Sequence, residues 1–203
     1  MDKAFKKYKQ VFDQFVDLNA EEWALFRSKI KIYHFKKGEI IHHAGEVCRK
    51  LFFINYGIVR SYAVGTEGND YTWGISFNDE NSIVSNIYLV DYDSFISQEI
   101  SKLSFEVVED CQLLAIAYDD LQSIYRSSKN GERFGRLMAE QAYSYAHNLI
   151  LDRLTKTASM RYQEFIENTP YLLDKVPQYH IATFLGITPQ SLSRIKKEII
   201  LCE

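Results

Sequence analysis

The 203-residue chain holds three prolines, three cysteines and no apolar run of about 18 residues. Without such a run, no helix is expected to span a membrane. The cysteines (Cys48, Cys111, Cys202) are odd in number, scattered, and form no C-x-x-C. Neither a disulfide framework nor a zinc finger is indicated, and a reducing cytoplasm is the simplest setting. An iron–sulfur cluster, which needs about four thiolates, also lacks its ligands. The first residues, MDKAFKKYKQVFDQF, are charged and amphipathic. They lack the apolar stretch and small-residue cleavage site of a secretory leader. There is no low-complexity segment to act as a disordered linker. G-x-S-x-G, H-E-x-x-H, Walker and G-x-G-x-x-G motifs are all missing, so no enzyme is expected.

Two local deficits of charge matter more than the formal net charge of −3. Residues 66–124 hold twelve acids and one cation, Lys102, and no arginine lies between Arg60 and Arg126. Residues 175–197 reverse this, with Lys175, Arg194, Lys196 and Lys197 and no acid at all. The chain as a whole is not a basic polyanion binder. An acid-free cationic segment on an acidic protein can still mark a local nucleic-acid surface.

Strands come first and helices second. Residues 1–29 read as helices: Phe5, Tyr8, Val11, Phe12, Phe15 and Val16 recur at helical spacing, and Asn19 with Glu22 forms a capping pair. Residues 30–118 carry short β-branched and aromatic runs: IKIYHF, EIIHH, LFFINY, IVRSYAV, YTWGISF, SFEVVE and CQLLAIA. Gly38, Gly45, Gly57, Gly65 and Gly68 punctuate them. This predicts an antiparallel sandwich or barrel. Residues 119–155 turn helical, with Asp119 or Asp120 as the cap of a short helix and a longer helix from about Gly131 to Leu154. Gly135, Ala139, Ala142, Ala146 and Ile150 share one face of that helix. Small residues in a stripe permit close packing, either on the chain's own barrel or on the same helix of a second copy.

Residues 156–203 contain the most specific pattern, VPQYHIATFLGITPQSLSRIKK at 176–197. Pro177 suits a first helical turn, and Ile181, Ala182 and Leu185 face inward. Gly186 suits a left-handed turn, Ile187 fills the corner, Thr188 caps a second helix and Pro189 opens it. Leu192 and Ile195 are that helix's inward positions. This is a helix-turn-helix pattern. Its outward face is left with Gln190, Ser191, Ser193, Arg194 and Lys197. Such a helix fits the major groove, with Arg194 able to pair a guanine and Gln190 an adenine. Thr188, Ser191 and Ser193 suit phosphate or base contacts, and Lys196 and Lys197 supply salt-sensitive attraction. An ordinary helical hairpin with a solvated polar face remains the plainer alternative.

A barrel, a long helix and a helix-turn-helix together resemble the Crp–Fnr family of bacterial transcription regulators. The resemblance rests on Lys37-Gly38-Glu39-x-Ile41, Gly45-Glu46, Leu51-Phe52-Phe53-Ile54 and Gly57-x-Val59-Arg60-x-Tyr62 in the barrel. At the other end it rests on Ile181-Ala182, Leu185-Gly186-Ile187-Thr188 and Leu192-Ser193-Arg194-Ile195. Arg161-Tyr162 and Pro170 look like the connector of a Bacteroidetes-type branch. The resemblance implies an α+β chain: an antiparallel β-roll or jelly-roll sensor domain, a dimerisation helix and a DNA-binding end. It implies a homodimer on double-stranded DNA, with RNA polymerase as a further partner. Gln190 stands where the family usually has an acidic residue, so the family's usual half-site does not transfer.

The ligand does not transfer either. Cyclic-nucleotide-binding members use a Gly-Glu pair and an arginine in a phosphate-binding cassette. The corresponding stretch here, residues 77–101, has Asn78-Asp79-Glu80 and no arginine. A buried phosphate without a cation is costly, so no cyclic nucleotide and no other cofactor is expected. Phe77, Glu80, Ser82, Ser97 and Lys102 are the candidate lining for an unknown small-molecule effector. His34, His42 and His43 are the candidates for a haem. As neighbours on a strand, His42 and His43 point to opposite faces and would not share a metal. Two alternatives complete the reading. One is a small-molecule-binding module with weak or lost DNA binding, prompted by the six residues after Lys197. The other is a cupin-like metal enzyme, for which the histidines are too clustered.

Overall fold

The structure, a computed structural model, describes residues 3–79 and 86–200. Two helices open the chain, α1 (Lys3–Asp13) and α2 (Ala20–Lys29). Asn19 accepts from the Glu22 backbone and Glu22 reaches back to the Asn19 N–H, the expected capping box. Six strands follow, all paired antiparallel: β1 (Lys31–Phe35), β2 (Ile40–His42), β3 (Lys50–Val64), β4 (Asp70–Phe77), β5 (Tyr88–Leu89) and β6 (Ser104–Ala117). Between β5 and β6 lies the short helix α3 (Tyr92–Ser97). Then come α4 (Tyr118–Ser127), α5 (Lys129–Thr155), α6 (Ala158–Asn168), a 3-10 turn at Pro170–Leu172, α7 (Gln178–Phe184) and α8 (Pro189–Ile200).

β3 and β6 form a long central ribbon, pairing from Lys50↔Ala117 to Tyr62↔Ser104. Each then takes two further partners at its two ends. β6 pairs β1 through 111–115 and β2 through 105–106. β3 pairs β4 through 58–64 and β5 through 52–53. One bent sheet thus wraps on itself, and an inner core fills it with Phe52, Ile54, Val59, Phe105, Val107 and Leu113. The first helices cover one side, where Phe12 stacks on Phe134 of α5 and meets Phe26 edge-on. A second outer core joins Ile58, Ile75, Phe77 and Val108 to the C-terminal helices.

Two expectations change in detail. LFFINY and IVRSYAV are one strand, as are SFEVVE and CQLLAIA. Gly57 and its register shifts bend β3 without ending it. At α4, neither Asp119 nor Asp120 is the cap. The chain leaves β6 directly into the helix at Ala117, and both acids sit in the first turn, where they favour the helix dipole.

Gly57 has φ +93, and a Cβ there would lie 2.4 Å from Cys111 Cβ and 2.5 Å from the Asp110 carbonyl. Both backbone strain and overpacking follow from any side chain. We expect Gly57→Ala to cost about 2–4 kcal/mol of unfolding free energy, read by urea titration. A change within about 0.5 kcal/mol, the ordinary range for a neutral surface substitution, would contradict this account of the bend.

Candidate nucleic-acid interface

α7 and α8 pack against each other through Ile181, Ala182, Leu185, Leu192 and Ile195, all buried. Ala182 is fully buried, so a larger side chain would separate the helices. Between them Gly186 adopts φ +71, which residues with a Cβ rarely enter. Thr188 Oγ1 accepts from the Ser191 backbone N–H at 3.1 Å and caps α8, with Pro189 as its first residue. The Ile187 N–H bonds the Ala182 carbonyl, closing the turn.

The outward face of α8 presents Gln190, Ser193, Arg194 and Lys197, all exposed. The Arg194 side chain is 75% exposed and lies 3.8 Å from Glu198, a loose surface pair. Three predicted residues have internal work as well. Thr188 and Ser191 share the cap, their hydroxyls 3.0 Å apart. Lys196 Nζ donates to Gln178 at the start of α7. A shallow concavity lined by Gln178, Pro189, Ser193, Lys196 and Lys197 runs beside this contact. Lys175 belongs elsewhere: it pairs with Glu109 on β6.

The proposed small-residue stripe of α5 divides. Gly135 is buried against its own chain, since a Cβ there would meet the Tyr125 ring of α4 at 2.4 Å. It therefore serves packing within the chain. Ala139, Ala142 and Ala146 are half-buried and Ile150 is 49% exposed. The most open apolar side chains on α5 were not in the predicted stripe: Tyr143 at 72% and Leu154 at 77% exposure. At 143, 150 and 154 their spacing puts them on one helical face with Ile150. Their size keeps them out of a stripe defined by small residues.

The candidate effector lining is described only in part. Phe77 is buried in the outer core and stacks on Tyr171 near the C-terminal helices. Ser97 and Lys102 are exposed, and Glu80 and Ser82 lie outside the described residues. Residues 91–101 are held by a local hydrogen-bond network that reaches Cys48. Asp91 caps α3 through the Ser94 N–H and accepts from Ser101 Oγ at 2.6 Å. Ser94 Oγ accepts from the Cys48 N–H and donates to the Glu99 carbonyl. α3 has no signal of its own in the sequence; this network sets its register.

The remaining candidates for chemistry are placed as follows. His42 is buried beside Phe105, and burial pushes its pKa down, so it is neutral at pH 7. His43 is exposed and His34 bonds Gln112, so the three do not converge. Burial raises the Cys48 thiol and lifts Cys111 to about 12, which leaves both unreactive. Cys202 lies outside the described residues. Among the described residues, no helix is long and apolar enough to cross a membrane. Likewise, no group of three or more His, Cys, Asp or Glu is arranged to hold a metal.

The cap makes the α7–α8 geometry testable. Thr188→Ala should lower unfolding free energy by about 1 kcal/mol, seen by thermal or urea denaturation. No loss of stability would mean that the cap bond does not hold α8 in place.

Comparison with known proteins fits this architecture. Residues 32–128 match the family model described as the cyclic nucleotide-binding domain. No match to the chain is found among curated proteins. Solved structures do match along most of it. A candidate transcriptional regulator of the crp/fnr family from Eubacterium rectale aligns with TM-score 0.70 and 20% identity, over 91% of this chain and 85% of that one. FixK2 from Bradyrhizobium japonicum aligns with TM-score 0.69 and 17% identity, over 85% of each chain. The Thermus thermophilus catabolite activator protein aligns with TM-score 0.54 and 19% identity, over 92% of this chain and 85% of that one. At these identities the likeness is one of fold. Residues 32–128 thus match a cyclic nucleotide-binding domain, and the chain shares the overall fold of these solved structures.

Proposed function

We propose that the chain is a homodimeric, sequence-specific DNA-binding transcription regulator of the Crp–Fnr type. The observation that carries this is the α7–α8 pair. Its inward face, turn and cap are occupied by Ala182, Gly186 and Thr188, and its outward face is polar and cationic. In this reading α8 lies in the major groove as a recognition helix. Arg194 and Gln190 face base edges, and Lys197 and Lys196 face phosphates. Its fold neighbours, two of them named as regulator or activator, support the same class.

The exposed face of α5 supports the dimer. Tyr143, Ile150 and Leu154 leave an apolar surface on one long helix, and pairing with the same helix of a second copy would bury it. A two-fold axis along α5 would set two α8 helices on successive turns of one face of the duplex. DNA reading would place the protein in the cytoplasm.

A cyclic nucleotide is not the effector in this proposal. The sensor domain has no arginine between Arg60 and Arg126, and Arg60 itself is consumed by Asp70 and Glu106 at 2.6 and 2.7 Å. Asp91, Ser94 and Ser101 bond one another or nearby backbone in the stretch that would hold the phosphate. The domain then acts as a scaffold or takes a ligand of other chemistry.

The test is a gel-shift titration on duplex DNA from around its own operon. Arg194→Ala should weaken specific binding by about 1–3 kcal/mol and relax preference at one base position. Lys197→Ala should weaken all sequences alike and reduce the salt slope by about one. Equal affinity of the wild type and Arg194→Ala for every sequence would overturn the recognition-helix assignment.

A further inference from the structure

β4 is an edge strand, and an edge leaves backbone N–H and C=O groups without sheet partners. At Thr72 these groups are taken by the C-terminal half of the chain. Thr183 of α7 accepts from the Thr72 N–H at 3.4 Å, and the two hydroxyls bond each other at 2.8 Å. Arg153, in the last turn of α5, donates one guanidinium nitrogen to the Thr72 carbonyl at 3.3 Å and to the Phe184 carbonyl at 3.0 Å. Thr72 is 1% exposed and Thr183 9%, so both are closed off from water. The link therefore connects three parts: the sheet edge, the long helix and the first helix of the α7–α8 pair.

Arg161 of α6 secures the same helix end. Its Nε and second terminal nitrogen both donate to the Leu185 carbonyl, at 3.2 and 2.9 Å. Two arginines thus face the C-terminal carbonyls of α7, where the helix dipole is negative. Beside the link, buried Arg60 and the part-buried Asp70 and Glu106 face α7. Burial pushes the Asp70 carboxyl up, but hydrogen bonds from Arg60 and Tyr179 and the charge of Arg60 outweigh it, leaving Asp70 below its ordinary range. Burial, reinforced by the charge of Arg60, pushes the His180 pKa down. Buried polar groups of this kind fix one geometry, because displacement leaves several without partners.

We propose that Thr72, Thr183 and Arg153 form an interdomain latch that seats α7 on the free edge of β4. The orientation of α8 is then set by the β domain as well as by α5 and α6. A displacement of β4 moves or releases α7, and with it the outward face of α8. This gives the β domain a mechanical route to the C-terminal pair that needs no ligand phosphate. Only the consequence for DNA rests on the function proposed above; the latch itself does not.

Amide hydrogen exchange by mass spectrometry, without DNA, tests it. Thr183→Val keeps the shape and removes the shared hydroxyl. Arg153→Gln removes the guanidinium nitrogen shared by two carbonyls. Each should raise exchange in β4 (residues 70–77) and in α7 (residues 178–184) together, by about tenfold, as expected for a lost buried hydrogen bond. Exchange in β1 and in α1 should stay as in the wild type. Thr183→Ser, which retains the hydroxyl, should restore protection in both segments. Faster exchange in α7 alone, no change in either segment, or a uniform rise across the chain that Thr183→Ser shares would overturn the latch.

Discussion

The β3–β6 ribbon is the constraint on which the rest of the molecule hangs. Every other strand pairs with one of these two, each at a separate end. Gly57 lets β3 bend where Cys111 of β6 comes within a side chain's width. The bend turns Ile58 outward into the core shared with Val108, Phe77 and the C-terminal helices, while Val59 faces the interior. The same ribbon therefore shapes the inside of the β domain and supplies the seat for the helices that follow.

The segregation of charge along the chain has a spatial counterpart. Acids of the segment 66–124 meet cations from outside it: Asp120 with Lys29, Asp110 with Lys36, Glu109 with Lys175, and Asp70 and Glu106 with Arg60. Exposed pairs of this kind contribute little each. Arg60 is different, with a side chain only 5% exposed and two carboxylates against it. Removing it would leave two part-buried acids unpaired, a strongly destabilising change. As the proposed DNA surface, the acid-free segment 175–197 is accordingly narrower than its cation count implies. Lys175 holds the β domain, and the free positive charge concentrates at the C-terminal half of α8.

What was legible in the sequence follows the range of the interactions involved. The α7–α8 turn was readable because Gly186, Thr188 and Pro189 act within a few residues of themselves. The capping box at Asn19 and the start of α5 near Gly131, capped by Ser128, are local in the same sense. The continuity of β3 and β6 was not readable, because a glycine that ends a strand and one that bends it look alike in one dimension. α3 and β5 are held by contacts from Cys48, Ser101 and the start of β3, so their own residues carry little signal. Phe77, a candidate for the effector lining, shows the same effect of range. Phe77 and Ser97 are near in sequence, but Phe77 is claimed by Tyr171, nearly a hundred residues on. The face of α5 was half legible: its small residues were noticed, and Gly135 proved to pack within the chain while Tyr143 and Leu154 stand open.

The central claim is that two copies of α8, carried on a two-fold axis, read a defined duplex sequence. Selection of bound sequences from a random double-stranded pool, by the full-length wild-type protein at fixed salt, measures this directly. The account predicts enrichment of an inverted repeat whose half-sites are centred about 10 base pairs apart, or a multiple of one helical turn. A pool that shows no enriched sequence after repeated rounds would contradict it.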